Sequence, residues 1–160
     1  MTLFNGVREW FSRINRYGEE RGIRILHYIN SSGLKEIIEG TEIAHEFRKI
    51  YACSFLYDID GVAYWPAVAV NYTNKTQFIF KINKGVESVF DSKLVNQYIE
   101  EDKRPVPFRR MIYVGDGTTD IPCMRLVKNS GGHSIAVYNP EIRNARRELN
   151  GLIRDNRVSH

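Results

Sequence analysis

Met111-Ile112-Tyr113-Val114-Gly115-Asp116-Gly117-Thr118-Thr119-Asp120 sets the fold class of this chain. Met111 to Val114 is a short apolar β-type run, and a glycine-rich turn follows at once with two carboxylates four positions apart. Glycine lets backbone approach a ligand closely, and hard carboxylate oxygens suit a cation such as Mg²⁺. Helical spacing resumes over Ile121 to Val127, a second β-type run covers Ser134 to Val137, and the remainder is mostly helical and polar. Strand, polar loop and helix in that order make an α/β unit whose ligands bind beyond the carboxyl ends of the strands. Taken alone, an Asp-Gly turn with a capping aspartate is a common structural feature.

Working back toward the N-terminus, the same alternation appears. Val7, Trp10, Phe11, Ile14 and Tyr17 fall at three-and-four spacing with arginines between them, which predicts an amphipathic helix ended by Gly18 and Gly22. Ile23 to Ile29 reads as a strand stopping at Asn30-Ser31-Ser32-Gly33, with helical pattern from Leu34 and again from Glu42 to Phe47. In that reading Ser31, Ser32 and the backbone of Gly33 converge at a helix N-terminus, a seat for phosphate. Taken by itself, such a serine is more often an ordinary N-cap. Lys49 to Tyr57 and Val62 to Val70 are β-type runs around Asp58-Ile59-Asp60-Gly61, a hairpin. Thr73 to Thr76 supplies capping residues for an apolar helix closed by Gly85, and Lys75 sits at its start, where a cation is mildly unfavourable. Residues 91 to 108 predict a weak helix and an extended connection past Pro105 and Pro107.

An apolar strand ending in Ser31, then Lys75 at a helix start, then a strand with Gly115-Asp116-Gly117-Thr118-Thr119-Asp120 is, in this order and spacing, similar to the haloacid dehalogenase-like (HAD) hydrolase superfamily. The phosphoserine-phosphatase-like branch fits best, and the resemblance spans nearly all of residues 3 to 138. It implies an α/β, Rossmann-like core with a mainly parallel sheet, helices on both faces and a small β-hairpin, as one domain over residues 1 to 160. It also implies a Mg²⁺-dependent phosphatase acting on a small phosphorylated metabolite. By that resemblance Ser31 hydrogen-bonds the transferring phosphoryl group, with Ser32 and Gly33 beside it, and Lys75 pairs with phosphate. Lys81 and Lys84 are weaker candidates for the lysine. Asp116 ligates Mg²⁺, and Asp120 completes the acidic pocket from behind it. The implied chemistry transfers the phosphoryl group to an aspartate, a second aspartate acts as acid and base, and Mg²⁺ and lysine neutralise the transition-state charge.

The family's first motif, an apolar strand ending in Asp-x-Asp-x-Thr, has no match in residues 1 to 23. Asp58-Ile59-Asp60-Gly61-Val62 matches its letters but follows the serine motif and returns at once as a β-type run, so Asp58 and Asp60 are assigned to the hairpin turn rather than to a nucleophile. Leu3 to Val7 resembles the point where family members re-enter the core from the cap domain. The expectation is therefore a truncated core: no first strand, no nucleophile, no cap, no phosphatase activity by itself and weak Mg²⁺ binding. A missing central strand leaves unpaired backbone and exposed apolar surface, with self-association through the incomplete sheet as a consequence.

The chain has 160 residues, 42% of them apolar, enough for one domain with a core. Neither a membrane-spanning run nor a signal or transit peptide is read in it, and a cytoplasmic protein is the expectation. Cys53 and Cys123 lie far apart without a partner motif and read as small buried hydrophobes. A net charge of +4 suits an anionic partner without choosing one. The densest basic run, Arg143 to Arg147, alternates with acidic residues and reads as a solvated helix face, which disfavours a nucleic-acid-binding domain. A non-catalytic phosphate-binding or interaction remnant is the competing class.

Overall fold

The computed structural model describes residues 3–160, except for the side chains of Ala145 and Glu148. It is a mixed α/β protein in two compact units, one ending at Val70 and the other covering Asn71–His160.

The first unit opens with α1 (Val7–Glu19), which runs past Gly18 rather than stopping before it. Its inward stripe centres on Phe11, which meets the rings of His27 and Phe47 edge-on at 5.0 and 5.3 Å. Next come β1 (His27–Leu34), the single-turn helix α2 (Lys35–Glu39), β2 (Phe47–Tyr57) and β3 (Ala63–Val68). β1 and β2 are parallel, β2 and β3 antiparallel, in the order β1-β2-β3. α2 packs on β1 and β2. Ile38, Ile50 and Ala52 are buried together there, with Ile29 and Phe47 packed against them.

Two expectations are corrected in this unit. Asn30 to Gly33 does not end the strand, because β1 continues to Leu34. Asn30 pairs with Tyr51 and Leu34 with Cys53, so three β1 residues stand opposite one β2 residue as a bulge. The segment read as helical from Glu42 to Phe47 is only a 3-10 turn at Ala44–Glu46, because Phe47 already belongs to β2.

In the second unit α3 (Lys75–Lys84) ends at Gly85 and is followed by α4 (Ser92–Asn96), β4 (Ile112–Gly115), α5 (Ile121–Asn129), β5 (His133–Ala136) and α6 (Ala145–Arg154). β4 and β5 are parallel, and α5 packs on both while α3 packs on α5. Phe78, Ile79, Phe108, Cys123, Met124 and Val127 are buried here.

The two edges of this small sheet differ. Along the outer edge of β5, Ser159 and His160 donate backbone N–H groups to the Ser134 carbonyl, and Ala136 donates to the His160 carbonyl. Lys128 holds that tail through the carbonyls of Asn156 and Val158, at 3.0 and 2.8 Å. β4 faces β5 through Met111, Tyr113 and Gly115, so its alternate residues Ile112 and Val114 aim their backbone groups at the opposite edge. The two residues are 64% and 52% exposed. Strands of parallel sheets are ordinarily covered on both faces, which makes these two apolar side chains anomalous. No helix among the described residues is long and apolar enough to cross a membrane.

Candidate functional site

The most developed polar cluster lies at the carboxyl end of β4. Lys75, in the first turn of α3, sends its Nζ to Asp120 Oδ1 at 2.7 Å. Tyr113 donates its hydroxyl to the same oxygen, also at 2.7 Å. Lys75 and Asp120 are 5% and 7% exposed, so this is an internal ion pair rather than a surface one. Sequence order explains the placement. Asp120 directly precedes α5, which packs against β4 and α3, and Lys75 begins α3. The cation that is mildly unfavourable at a helix start is balanced here by a carboxylate from another helix.

Gly115 is the residue that permits this closeness. A Cβ at that position would lie 2.7 Å from both Asp120 Cβ and Met124 Cε, so any larger residue would push α5 away from the strand. The Tyr113 hydroxyl stays protonated far above its usual range. Burial is the main cause, followed by the neighbouring Cys123 and Asp120, to which it donates. Tyr113 therefore acts as a fixed hydrogen-bond donor to Asp120. Sequence reading missed it, although strand alternation puts it on the same face as Gly115, toward the aspartates.

Asp116 follows β4 directly and is exposed. The two aspartates thus separate: Asp116 faces solvent, while Asp120 is engaged by an ammonium and a phenol. Lys81 and Lys84 fall outside the cluster. Lys81 donates to the carbonyls of Ser88 and Asp91 and Lys84 to those of Val95 and Gln97, so both tie the segment after α3 back onto that helix. Burial holds the Lys81 pKa below the usual lysine range, with Asp91 partly opposing the shift.

Ser31, Ser32 and Gly33 belong to the first unit. They form the β1 bulge, one residue short of the α2 cap position, rather than the helix N-terminus expected there. α2 is a five-residue helix with Leu34 at its cap position and no side-chain cap, and the Gly33 N–H already donates to Ser31 Oγ at 3.0 Å. In the hairpin turn, Asp58 Oδ1 accepts the N–H groups of Asp60 and Val62 at 3.0 and 2.8 Å. Cys123 is fully buried and Cys53 partly so, and neither is in a disulfide.

For a divalent cation the cluster offers the exposed Asp116 carboxylate, while Asp120 accepts from both Lys75 and Tyr113 through its Oδ1. Mg²⁺ demands octahedral oxygen ligation, and no group of three or more His, Cys, Asp or Glu able to hold a metal occurs among the described residues. Asp116 and Asp120 are a partial donor set for such a cation.

An uncharacterized protein of Borreliella burgdorferi is 30% identical over 182 aligned positions, which take in 99% of this chain. The chain spans 59% of that relative's length. No family model matches the sequence, and no solved structure matches it.

Proposed function

We infer that the second unit carries part of a phosphoryl-transfer site of the haloacid dehalogenase-like type, and that this chain alone does not hydrolyse phosphate monoesters. The observation that supports the reading is the buried Lys75–Asp120 pair with its Tyr113 donor, beside an exposed Asp116 at the carboxyl end of a parallel strand. Burying an ammonium and a carboxylate is costly unless both are well bonded, which makes such a pair an expensive way to build a core and a reasonable way to hold a charge at a ligand site.

In this reading Asp120 holds the Lys75 side chain in place, Tyr113 fixes the carboxylate, and Asp116 offers its oxygens to solvent and to a cation. Mg²⁺ would supply charge neutralisation at the phosphoryl oxygens, and Asp116 alone gives it weak attachment. The attacking group is the missing part. Asp58 is the residue in this chain whose sequence context imitates it, but its carboxylate accepts two amide hydrogens of its own turn and is a poor nucleophile there. The substrate class is a small phosphorylated metabolite.

The test is incubation of the chain with Mg²⁺ and p-nitrophenyl phosphate. No turnover is expected. Turnover that disappears in Asp58→Asn would overturn the reading, since it would make the hairpin the nucleophile loop. Calorimetry with MgCl₂ provides a second check, where a dissociation constant below about 1 mM would contradict an isolated Asp116.

A second reading, a non-catalytic interaction remnant, draws on the bare edge of β4 with Ile112 and Val114 exposed. That edge suits an added strand, whether from a partner or from a second copy. Amide exchange separates the cases: rapid exchange at Ile112 and Val114 means a bare edge, and protection at both means that a strand has added.

A further inference from the structure

The β2–β3 hairpin holds an isoleucine in open water on a well-tied turn. Ile59 is 99% exposed. Its neighbours are fixed by the two amide bonds to Asp58 Oδ1, by a backbone bond from Asp58 N–H to the Val62 carbonyl, and by Gly61 at φ 78°. Below the tip, Val62, Tyr64 and Trp65 are each about three-fifths exposed. Nothing in the stability of the hairpin calls for this display, and exposed apolar patches of this kind mark contact surfaces. The patch is also acidic: between Ile50 and Asn74 the charged residues are Asp58 and Asp60 alone.

The opposite end of β2 carries a complementary feature. A cavity of about 380 Å³ is lined by Ala44, Phe47 and Ile50 with Lys35, Glu39, Arg48 and Lys49; Lys35 and Glu39 are ion-paired at 2.8 Å, so Arg48 and Lys49 give the lining its net positive charge. It is roomy enough for a branched aliphatic side chain, and its charge is opposite to that of the tip. Both features belong to the first unit.

We propose that the hairpin tip docks into this cavity on a second copy of the chain, with Ile59 as the apolar anchor and Asp58 and Asp60 facing its positively charged rim at Lys49 and Arg48. Tip and cavity sit at the two ends of an 11-residue strand, roughly 35 Å apart. Two copies laid antiparallel therefore satisfy both contacts at once, which is the condition for a closed two-fold dimer rather than an open filament. Pro66 removes one amide from β3, the outer strand of the hairpin, so strand addition along that edge is disfavoured and the contact is made by side chains. An anionic membrane is a poor alternative occupant, because the tip is flanked by carboxylates and has no cation to meet headgroups. The proposal does not depend on the phosphoryl-transfer reading.

Sedimentation equilibrium of the full chain tests it. The wild type is expected at twice 18.6 kDa at micromolar concentrations. Ile59→Asp should be monomeric with an unchanged far-UV spectrum, since the side chain touches nothing in the fold. Asp60→Lys and Lys49→Asp should each weaken association about tenfold, because each removes two contacts per dimer, and the double variant should recover most of the loss. A wild type that stays monomeric at about 100 μM, a dimer indifferent to Ile59→Asp, or a double variant without recovery would each overturn it. So would a monomer that floats with phosphatidylcholine vesicles through Ile59, which would make the tip a lipid anchor.

Discussion

Asp120 is the acceptor that the buried Lys75 ammonium and the Tyr113 hydroxyl share. Replacing it with alanine leaves the Lys75 ammonium buried beside an apolar gap and takes the acceptor from the Tyr113 hydroxyl. Removing one member of a buried pair typically costs about 3–5 kcal/mol, because the other charge stays desolvated. Asp120→Ala should therefore lower the second unit's stability by about 3 kcal/mol or more in urea titrations followed by far-UV circular dichroism. The pair Asp120→Asn and Lys75→Met, removing both charges, should cost much less. Gly115→Ala presses a methyl into Asp120 and Met124 and is expected to cost about 1–3 kcal/mol by the same measurement. At this scale the sequence exposed the chemistry of single residues unevenly. Lys75 drew notice because a cation at a helix start needs a reason, and Asp116 because glycine brackets it. That Asp120 would neutralise Lys75 rather than join Asp116 was not legible, since it depends on how α3 and α5 pack, a contact between residues 45 positions apart.

Elements were legible where their pattern is local. The amphipathic α1, the hairpin around Asp58 to Gly61, and the β4, loop, α5, β5 series follow from spacing and turn chemistry. The β1 bulge was not, because Asn30 to Gly33 has the composition of a turn, and only the resumed pairing of Leu34 with Cys53 on a distant strand makes it part of β1. Beyond that point β2 continues past the end of β1, and its edge is closed by a side chain. Glu36 of α2 accepts the Phe55 N–H at 3.1 Å. That bond is the main reason its carboxyl sits below the usual carboxylate range, with its own backbone N–H adding to it and burial opposing. A carboxylate whose folded pKa is depressed stabilises the fold above its unfolded pKa, and that stability is lost as pH falls through the folded value. The first unit should thus lose stability as pH drops from about 5 toward 3, and Glu36→Gln should flatten that slope while lowering stability at neutral pH. Urea midpoints by tryptophan fluorescence across this range measure it. An identical slope in wild type and variant would mean that Glu36 does not hold the β2 extension.

For the whole molecule, the division at Val70 has a measurable consequence. Both tryptophans, Trp10 and Trp65, lie in the first unit, and the second has none. Tryptophan fluorescence therefore reports the first unit alone, while far-UV circular dichroism, summed over helices and strands of both, reports the two together. The first unit buries Phe11, Ile38, Ile50, Tyr51, Ala52 and Val70 and leaves seven large apolar residues exposed between Phe55 and Trp65. The second buries Cys123, Met124, Val127 and Val158 almost completely and adds the internal Lys75–Asp120 pair. Two separate cores need not melt together, and the unit built from the shorter stretch of chain, the first, should melt first. In a urea titration the fluorescence transition is expected at lower denaturant than the second half of a broader, biphasic dichroism transition. Asp120→Ala should move only the later dichroism phase and leave the fluorescence curve where it is. Coincident single transitions by both probes, shifted together by Asp120→Ala, would instead make residues 3–160 one cooperative domain, the organisation that length and composition lead one to expect.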